Sequence, residues 1–388
     1  MPTCLNWLVS PSEIAVLMGS WSSHTLAPSL VLRGDQVWSQ ALPVIARLGQ
    51  RPLLLGRSEA TLACRHLLLA QLKEAGLDPR PADLLHDCCH EDLTRLHLVA
   101  GEAAPQGPCD SVIAMGGGKV LDAGKLLAHQ LGVPCITVPT SAATCAGWTA
   151  LSNLYTPEGA FLGDVALDRC PDLLVFDHAL VLQAPLRTLL SGMADAMAKW
   201  YEASISSAQS RDGLVQQAVQ QARLLRDQIL LEGVEAMEQP GSEAWVRVAE
   251  ACALTAGLIG GLGGPRCRTV AAHAVHNGLT QLPATHSRLH GEKVGFGILA
   301  QLRLEEVLGG SRLAAQARQQ LLSFFRPLGL PCELADLGLA AASLQDLQTV
   351  CDHACRPGSD LHHLPFPVTP QDLLAALVTT TTHGQPVG

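Results

Sequence analysis

The run Ser111-Val-Ile-Ala-Met115 passes straight into Gly116-Gly117-Gly118-Lys119 and then into helical spacing from Val120 to Leu131. This junction constrains the fold more than any other stretch. A short apolar run, a glycine turn and a helix that stops near Gly132 make one strand–loop–helix unit. A second strand, Pro134-Cys-Ile-Thr-Val138, follows and is bounded by Pro139. Strand–helix–strand at that spacing needs a crossover, and so implies parallel pairing. Pro52-Leu-Leu-Leu-Gly56 with a helix over 58–75, and Leu173-Leu-Val-Phe176, continue the pattern. Residues 1–184 therefore read as a doubly wound α/β domain, with 1–27 an extension of no assigned role. From Pro185 the period changes: helical spacing runs over 186–208, 211–232, 242–259, 269–281 and 291–307. Residues 185–388 read as an all-helical domain, and the cleft between the two is the natural place for a site.

Composition narrows the class. The chain has 388 residues and is 48% hydrophobic, enough to bury a large core. Its net charge of −9 argues against a nucleic-acid or anionic-membrane surface. Thirteen cysteines, an odd number scattered over the whole length, suggest thiols in a reducing compartment, and the expected location is cytoplasmic. Pro11 and Glu13 interrupt the apolar N-terminal stretch, so no signal peptide is expected, and no uninterrupted 18-residue apolar run predicts a membrane helix.

Two groups of residues carry chemistry. Glycines between a strand and a helix let the backbone approach a pyrophosphate at a helix N-terminus, although three adjacent glycines depart from the usual dinucleotide fingerprint. The competing reading is a tight turn. Thr140-Ser-Ala-Ala-Thr144 adds hydroxyls at the same sheet edge and favours the nucleotide. Farther on stand His273-Ala-Val-His276 and His290-Gly-Glu-Lys, with Asp195 upstream in Gly192-Met-Ala-Asp195-Ala. Two imidazoles and a carboxylate with an open position make a catalytic divalent-metal set. The competing reading is packed histidines, but an aspartate on an apolar helix needs a cation or a metal. His86-Asp-Cys88-Cys89-His90 resembles a metal cluster only superficially, because adjacent ligands chelate poorly. Cys351 and Cys355 around His353 read the same way. Arg266 and Arg268 fit an anion anchor and a solvated segment equally well.

Taken together, Gly116-Gly-Gly-Lys-Val-Leu-Asp122, Pro139-Thr140, Gly192-Met-Ala-Asp195, His273-Ala-Val-His276-Asn and His290-Gly-Glu-Lys resemble the metal-dependent (iron-containing) alcohol dehydrogenase superfamily, on its glycerol dehydrogenase branch. The resemblance spans roughly residues 28 to 380. It implies a dehydroquinate synthase-like fold and one divalent ion, Zn²⁺ or Fe²⁺, on Asp195, His273 and His290. It also implies nicotinamide dinucleotide contacts from Gly117, Gly118, Lys119, Asp122, Thr140, Thr149, Leu151 and Tyr155, and a homo-oligomer. One departure matters. Where glycerol dehydrogenases carry Thr-Asp-Ala-Pro, this chain has Thr144-Cys145-Ala-Gly147. That segment, Ala198-Lys199-Trp200-Tyr201-Glu202 and Arg356-Pro357…His363 resemble the hydroxycarboxylate dehydrogenase A group instead. This points to hydride transfer from NADPH to a small 2-oxo acid. Arg268 would hold the substrate carboxylate, Cys145 would line the pocket, and His276 would relay a proton. Arg57, at the end of a strand with no carboxylate until Glu59, would pair with a 2′-phosphate and favour NADP(H) over NAD(H). The alternatives are an NAD-dependent glycerol or polyol dehydrogenase, a dehydroquinate synthase-type lyase and a non-catalytic scaffold.

Overall fold

The computed structural model describes residues 23–101, 107–267 and 269–382. The N-terminal half is built of β1 (Val31–Gly34), α1 (Trp38–Leu48), β2 (Pro52–Gly56), α2 (Leu62–Glu74), β3 (Arg80–Asp83), α3 (His90–Ala100), β4 (Ser111–Gly116), α4 (Gly118–Leu131), β5 (Cys135–Pro139), β6 (Leu151–Tyr155), β7 (Phe161–Ala166) and β8 (Leu173–Asp177). Six strands form one sheet in the order β1-β8-β5-β4-β2-β3, and every pairing in it is parallel. The apolar runs make central strands because both faces are covered. Leu53, Leu55, Val112 and Ala114 join one apolar layer, while Leu54, Ile113 and Met115 join the layer on the other face.

β6 and β7 stand outside this sheet as an antiparallel hairpin with an irregular register at Leu154/Tyr155. Its residues are half-buried and mixed in polarity, so no clean two-residue period marks them. The hairpin leans on the helical half, where Phe161 N–H donates to Thr280 Oγ1 at 3.0 Å.

Beyond β8 the described elements are helical: α5 (His178–Val181), α6 (Leu186–Ser206), α7 (Gly213–Glu238), α8 (Glu243–Glu250), α9 (Ala256–Gly263), α10 (Ala271–Leu279), α11 (His290–Val307), α12 (Arg312–Leu328), α13 (Leu344–Ala354) and α14 (Pro370–Val378), with short 3₁₀ turns between some of them. A π-helical turn over Ala251–Thr255 joins α8 to α9. The continuous run Glu243–Gly263 has the length and mean hydropathy of a membrane span, 1.3, but most of it is packed inside the protein.

The helix at 58–75 expected from the sequence begins as a 3₁₀ turn over Glu59–Thr61 capped by Ser58, with α2 proper following.

One glycine sets the distance between the halves, and a second sets the distance between two helices. A Cβ on Gly192 of α6 would lie 1.9 Å from the Ala142 carbonyl oxygen in the β5–β6 loop. A Cβ on Gly291 of α11 would lie 1.8 Å from the Ser191 carbonyl oxygen. Only glycine permits these approaches, and they bring the Asp195 helix against both the sheet edge and the His290 helix.

Candidate active site

The carboxyl end of β4 lies where the strand order reverses, with β2 and β3 on one side and β5, β8 and β1 on the other. Crevices at such points take ligands in open parallel sheets. Gly117 starts α4 without a side-chain cap, which leaves the first amides of that helix available to an anion. Gly116, Gly117, Gly118 and Lys119 line a cavity of about 310 Å³ with Thr140, Asp122, Tyr155 and Arg57. Thr140 N–H donates to Gly116 O at 3.1 Å and ties the β5 end to the loop. The Lys119 ammonium lies 5.7 Å from the Tyr155 ring centroid.

Thr149 and Leu151 enter through Lys125 and the hairpin. Buried Lys125 donates to Thr149 O at 3.1 Å and to Leu151 O, and pairs with Asp122 at 3.1 Å. Arg57 lines the same cavity, with Nη1 paired to Asp87 Oδ1 at 2.6 Å, and the second oxygen of Asp87 holds Lys119.

The three expected metal ligands converge. His290 Nε2 is 3.2 Å and His273 Nε2 3.5 Å from the same oxygen, Asp195 Oδ1. All three donor atoms lie within 4.8 Å of one another. Asp195 Oδ1 is buried and accepts no hydrogen bond. The outer nitrogens explain why both Nε2 atoms point inward. His273 Nδ1 is 2.6 Å from Glu202 Oε2, a fully buried carboxylate whose other oxygen accepts from Val270 N–H and His273 N–H at 2.7 and 3.0 Å. A carboxylate can only accept, so His273 carries its proton on Nδ1 and leaves the Nε2 lone pair inward. His290 Nδ1 is 2.9 Å from His276 Nε2, and His276 Nδ1 is 2.9 Å from Asn277 Oδ1. A consistent chain runs from His290 Nδ1–H to His276 and from His276 Nδ1–H to Asn277, again leaving Nε2 of His290 inward. Two lone pairs and an orphaned carboxylate oxygen at one buried point fit a divalent cation.

The electrostatics describe the site before an ion binds, when His273 still carries a second proton that a cation would displace. Burial would raise the Asp195 carboxyl, but His290, His273 and Lys199 outweigh it and hold it well below the ordinary range. Burial lowers His273, yet Glu202 and Asp195 bring it to about 9 in the metal-free protein. Burial, with His290 and Lys293, holds His276 well below its ordinary value. His276 is thus a neutral acceptor with both ring nitrogens engaged. Through these contacts it positions His290.

A second cavity of about 330 Å³ reaches the triad along Asp122, Cys145, Trp148, Thr149 and Lys199. Cys145 is a wall residue there, and burial pushes its thiol up. Arg268 lies outside the described residues. Sequence reasoning missed Glu202, although it stands seven residues after Asp195 on one apolar helix, two turns along the same face. It also missed Lys199, one turn from Asp195.

The other histidine–cysteine group, His86, Cys89 and Asp92, also brings its donor atoms within 4.8 Å. Asp92 is already saturated there, as considered below.

Comparison with known proteins agrees with this architecture. Residues 28–178 match the family model "Iron-containing alcohol dehydrogenase". The chain is 52% identical to an uncharacterized oxidoreductase of Synechocystis over 94% of its length and 93% of the relative. It is 33% identical to glycerol dehydrogenase of Escherichia coli O6:H1, covering 92% of this chain and 96% of that one. Hydroxycarboxylate dehydrogenase A of Escherichia coli K12 is 36% identical over 74% of this chain and 78% of its own. The crystal structure of a probable glycerol dehydrogenase from Sinorhizobium meliloti superposes with a TM-score of 0.78 at 31% identity, covering 91% of this chain and 96% of that one. The chain belongs to the iron-containing alcohol dehydrogenase family, in its glycerol dehydrogenase-like group, and is a nicotinamide-dependent oxidoreductase acting on alcohol groups.

Proposed function

We propose that this chain is a divalent-metal-dependent polyol dehydrogenase that oxidises a small vicinal diol of the glycerol class with NAD. The observation that carries the reading is the buried, unpartnered Asp195 Oδ1 facing two inward Nε2 lone pairs. Asp195, His273 and His290 would hold the ion, which when bound supplies a Lewis acid for the alcohol or carbonyl oxygen. Glu202 keeps His273 in the ligating tautomer, and Asn277 and His276 do the same for His290. Gly117, Gly118 and Lys119 would hold the dinucleotide phosphates, with Asp122, Thr140, Thr149, Leu151 and Tyr155 around the crevice. The dinucleotide, when bound, would accept the hydride from the carbinol carbon, with the hydroxyl proton passing to solvent.

NAD is the proposed dinucleotide because Arg57 is neutralised by Asp87, so a 2′-phosphate would have to displace that carboxylate. The glycerol class is favoured by the relatives above.

A second reading is supported by a particular observation: Cys145 and Lys199 line the cavity that reaches the triad. A cation with no aspartate at position 145 suits a 2-oxo acid, reduced with NADPH. Absorbance at 340 nm separates the two with zinc-loaded protein. Glycerol with NAD gives steady NADH formation on the first reading. Loss of NADPH with 2-oxobutanoate or 2-oxoglutarate, and no glycerol turnover, would replace it with the second.

A further inference from the structure

A cavity of about 310 Å³ is bordered by His276 and His290 and lined by Lys119, Arg57, Arg288, Lys293, Asp87 and Glu158. The triad and the dinucleotide loop do not account for two of its cations. Lys293 is only 6% exposed, and among the described residues its ammonium has neither a hydrogen-bond partner nor a carboxylate at ion-pair distance. The Arg288 guanidinium makes no ion pair among the described residues, and its Nε is buried without a hydrogen bond. Leaving such groups unpaired in a buried wall is costly, so the wall is built for something that pairs them. Burial, aided by Lys119, holds Lys293 down at about 8, as expected of an ammonium lacking its counterion.

The two cations flank the start of α11, an 18-residue helix whose dipole also favours an anion. Lys293 stands three residues after His290 and shares its helical face. Opposing carboxylates are few. Asp87 is committed to Arg57 and Lys119, Glu292 in the first turn of α11 is committed to Arg187 and the Leu289 N–H, and Glu158 is exposed at the rim. Among the lining residues, four cations against two carboxylates leave two positive charges, matching a doubly charged tetrahedral oxyanion.

We infer that this cavity is a phosphoryl-binding subsite, with Arg288 and Lys293 from the helical half facing Lys119 from the nucleotide loop. The phosphoryl group has two possible sources, a phosphorylated substrate and the dinucleotide itself.

The test is calorimetric titration of the full-length, zinc-loaded protein with inorganic phosphate at constant ionic strength. The comparison is an Arg288→Gln/Lys293→Gln double variant whose circular dichroism and bound zinc match the parent. Phosphate is expected to bind the parent at one site and the variant at least about ten-fold more weakly. Binding of NADH and NADPH, and turnover of glycerol against glycerol 3-phosphate, then assign the source. A shared loss of dinucleotide affinity assigns it to the cofactor. A loss confined to glycerol 3-phosphate assigns it to the substrate. No phosphate binding by the parent, or equal binding by parent and variant, would overturn the inference. Because the titration needs no turnover, it stands apart from the substrate assignment above.

Discussion

The described residues contain two clusters of metal-ligating side chains of similar size, and of these two one is built to hold an ion. In Asp195, His273 and His290 the inward atoms are a bare carboxylate oxygen and two nitrogens whose partners lie on the outer side. In His86, Cys89 and Asp92 the carboxylate is consumed. Asp92 Oδ2 accepts from Leu85 N–H and His86 N–H, both at 2.7 Å, and Oδ1 accepts from Arg95 at 3.1 and 3.0 Å. Its charge is satisfied, and these contacts hold its carboxyl below the ordinary range despite burial. Burial keeps the Cys89 thiol up. The difference is a matter of unsatisfied valence: ligand composition and proximity are alike, but one cluster lacks a partner and the other has all of its own.

The largest effect that could break this comparison is at Asp195. Asp195→Ala should abolish stoichiometric zinc binding and lower kcat at least about 1000-fold. Zinc retained at one equivalent by inductively coupled plasma analysis would mean the ion sits elsewhere. Next comes Glu202→Gln, which removes the charge behind His273 while keeping its shape. Zinc affinity should fall about 10- to 100-fold in competition with a chromogenic chelator, with folding retained. An unchanged affinity would show that the tautomer of His273 is held by something else.

The pH dependence sharpens the contrast further. Free His273 titrates at about 9, so below that pH an ion must displace a proton from it. Zinc affinity should rise about ten-fold per unit between pH 7 and 8, with one proton released per ion. Affinity flat over that range would contradict the assigned protonation. The smallest effect belongs to the other cluster. Asp92→Asn should leave the zinc stoichiometry unchanged and cost about 1–2 kcal/mol of stability, read from denaturant midpoints, because it weakens the bonds from the Leu85 and His86 amides and from Arg95. Loss of zinc in that variant would reverse the ranking of the two clusters.

How far these features could be read in advance follows from their physics. The parallel sheet was legible because each central strand is an apolar run, closed by glycine or proline in β2, β4 and β5, and both of its faces are buried. The triad was legible because polar residues on apolar helices need a reason to be there. The β6–β7 hairpin was not, since its alternation is blurred by a half-exposed position between the two halves. The pairing of Arg57 was hidden for a related reason. Its partner Asp87 is 30 residues away in sequence, and only the fold shows that the guanidinium is occupied. Lys293 and Arg288 carried no signal as letters, because a lysine beside a histidine looks solvated until its burial is known. Glu202 did carry one, two helical turns from Asp195.

The measurement that tests the central claim most directly is reconstitution. Protein stripped by a chelator would be titrated with Zn²⁺ or Fe²⁺ while NAD-dependent glycerol oxidation is followed at 340 nm. The account predicts that turnover is absent without metal, rises linearly and reaches its plateau at one ion per chain. Turnover that survives stripping, or a plateau at two ions per chain, would contradict it.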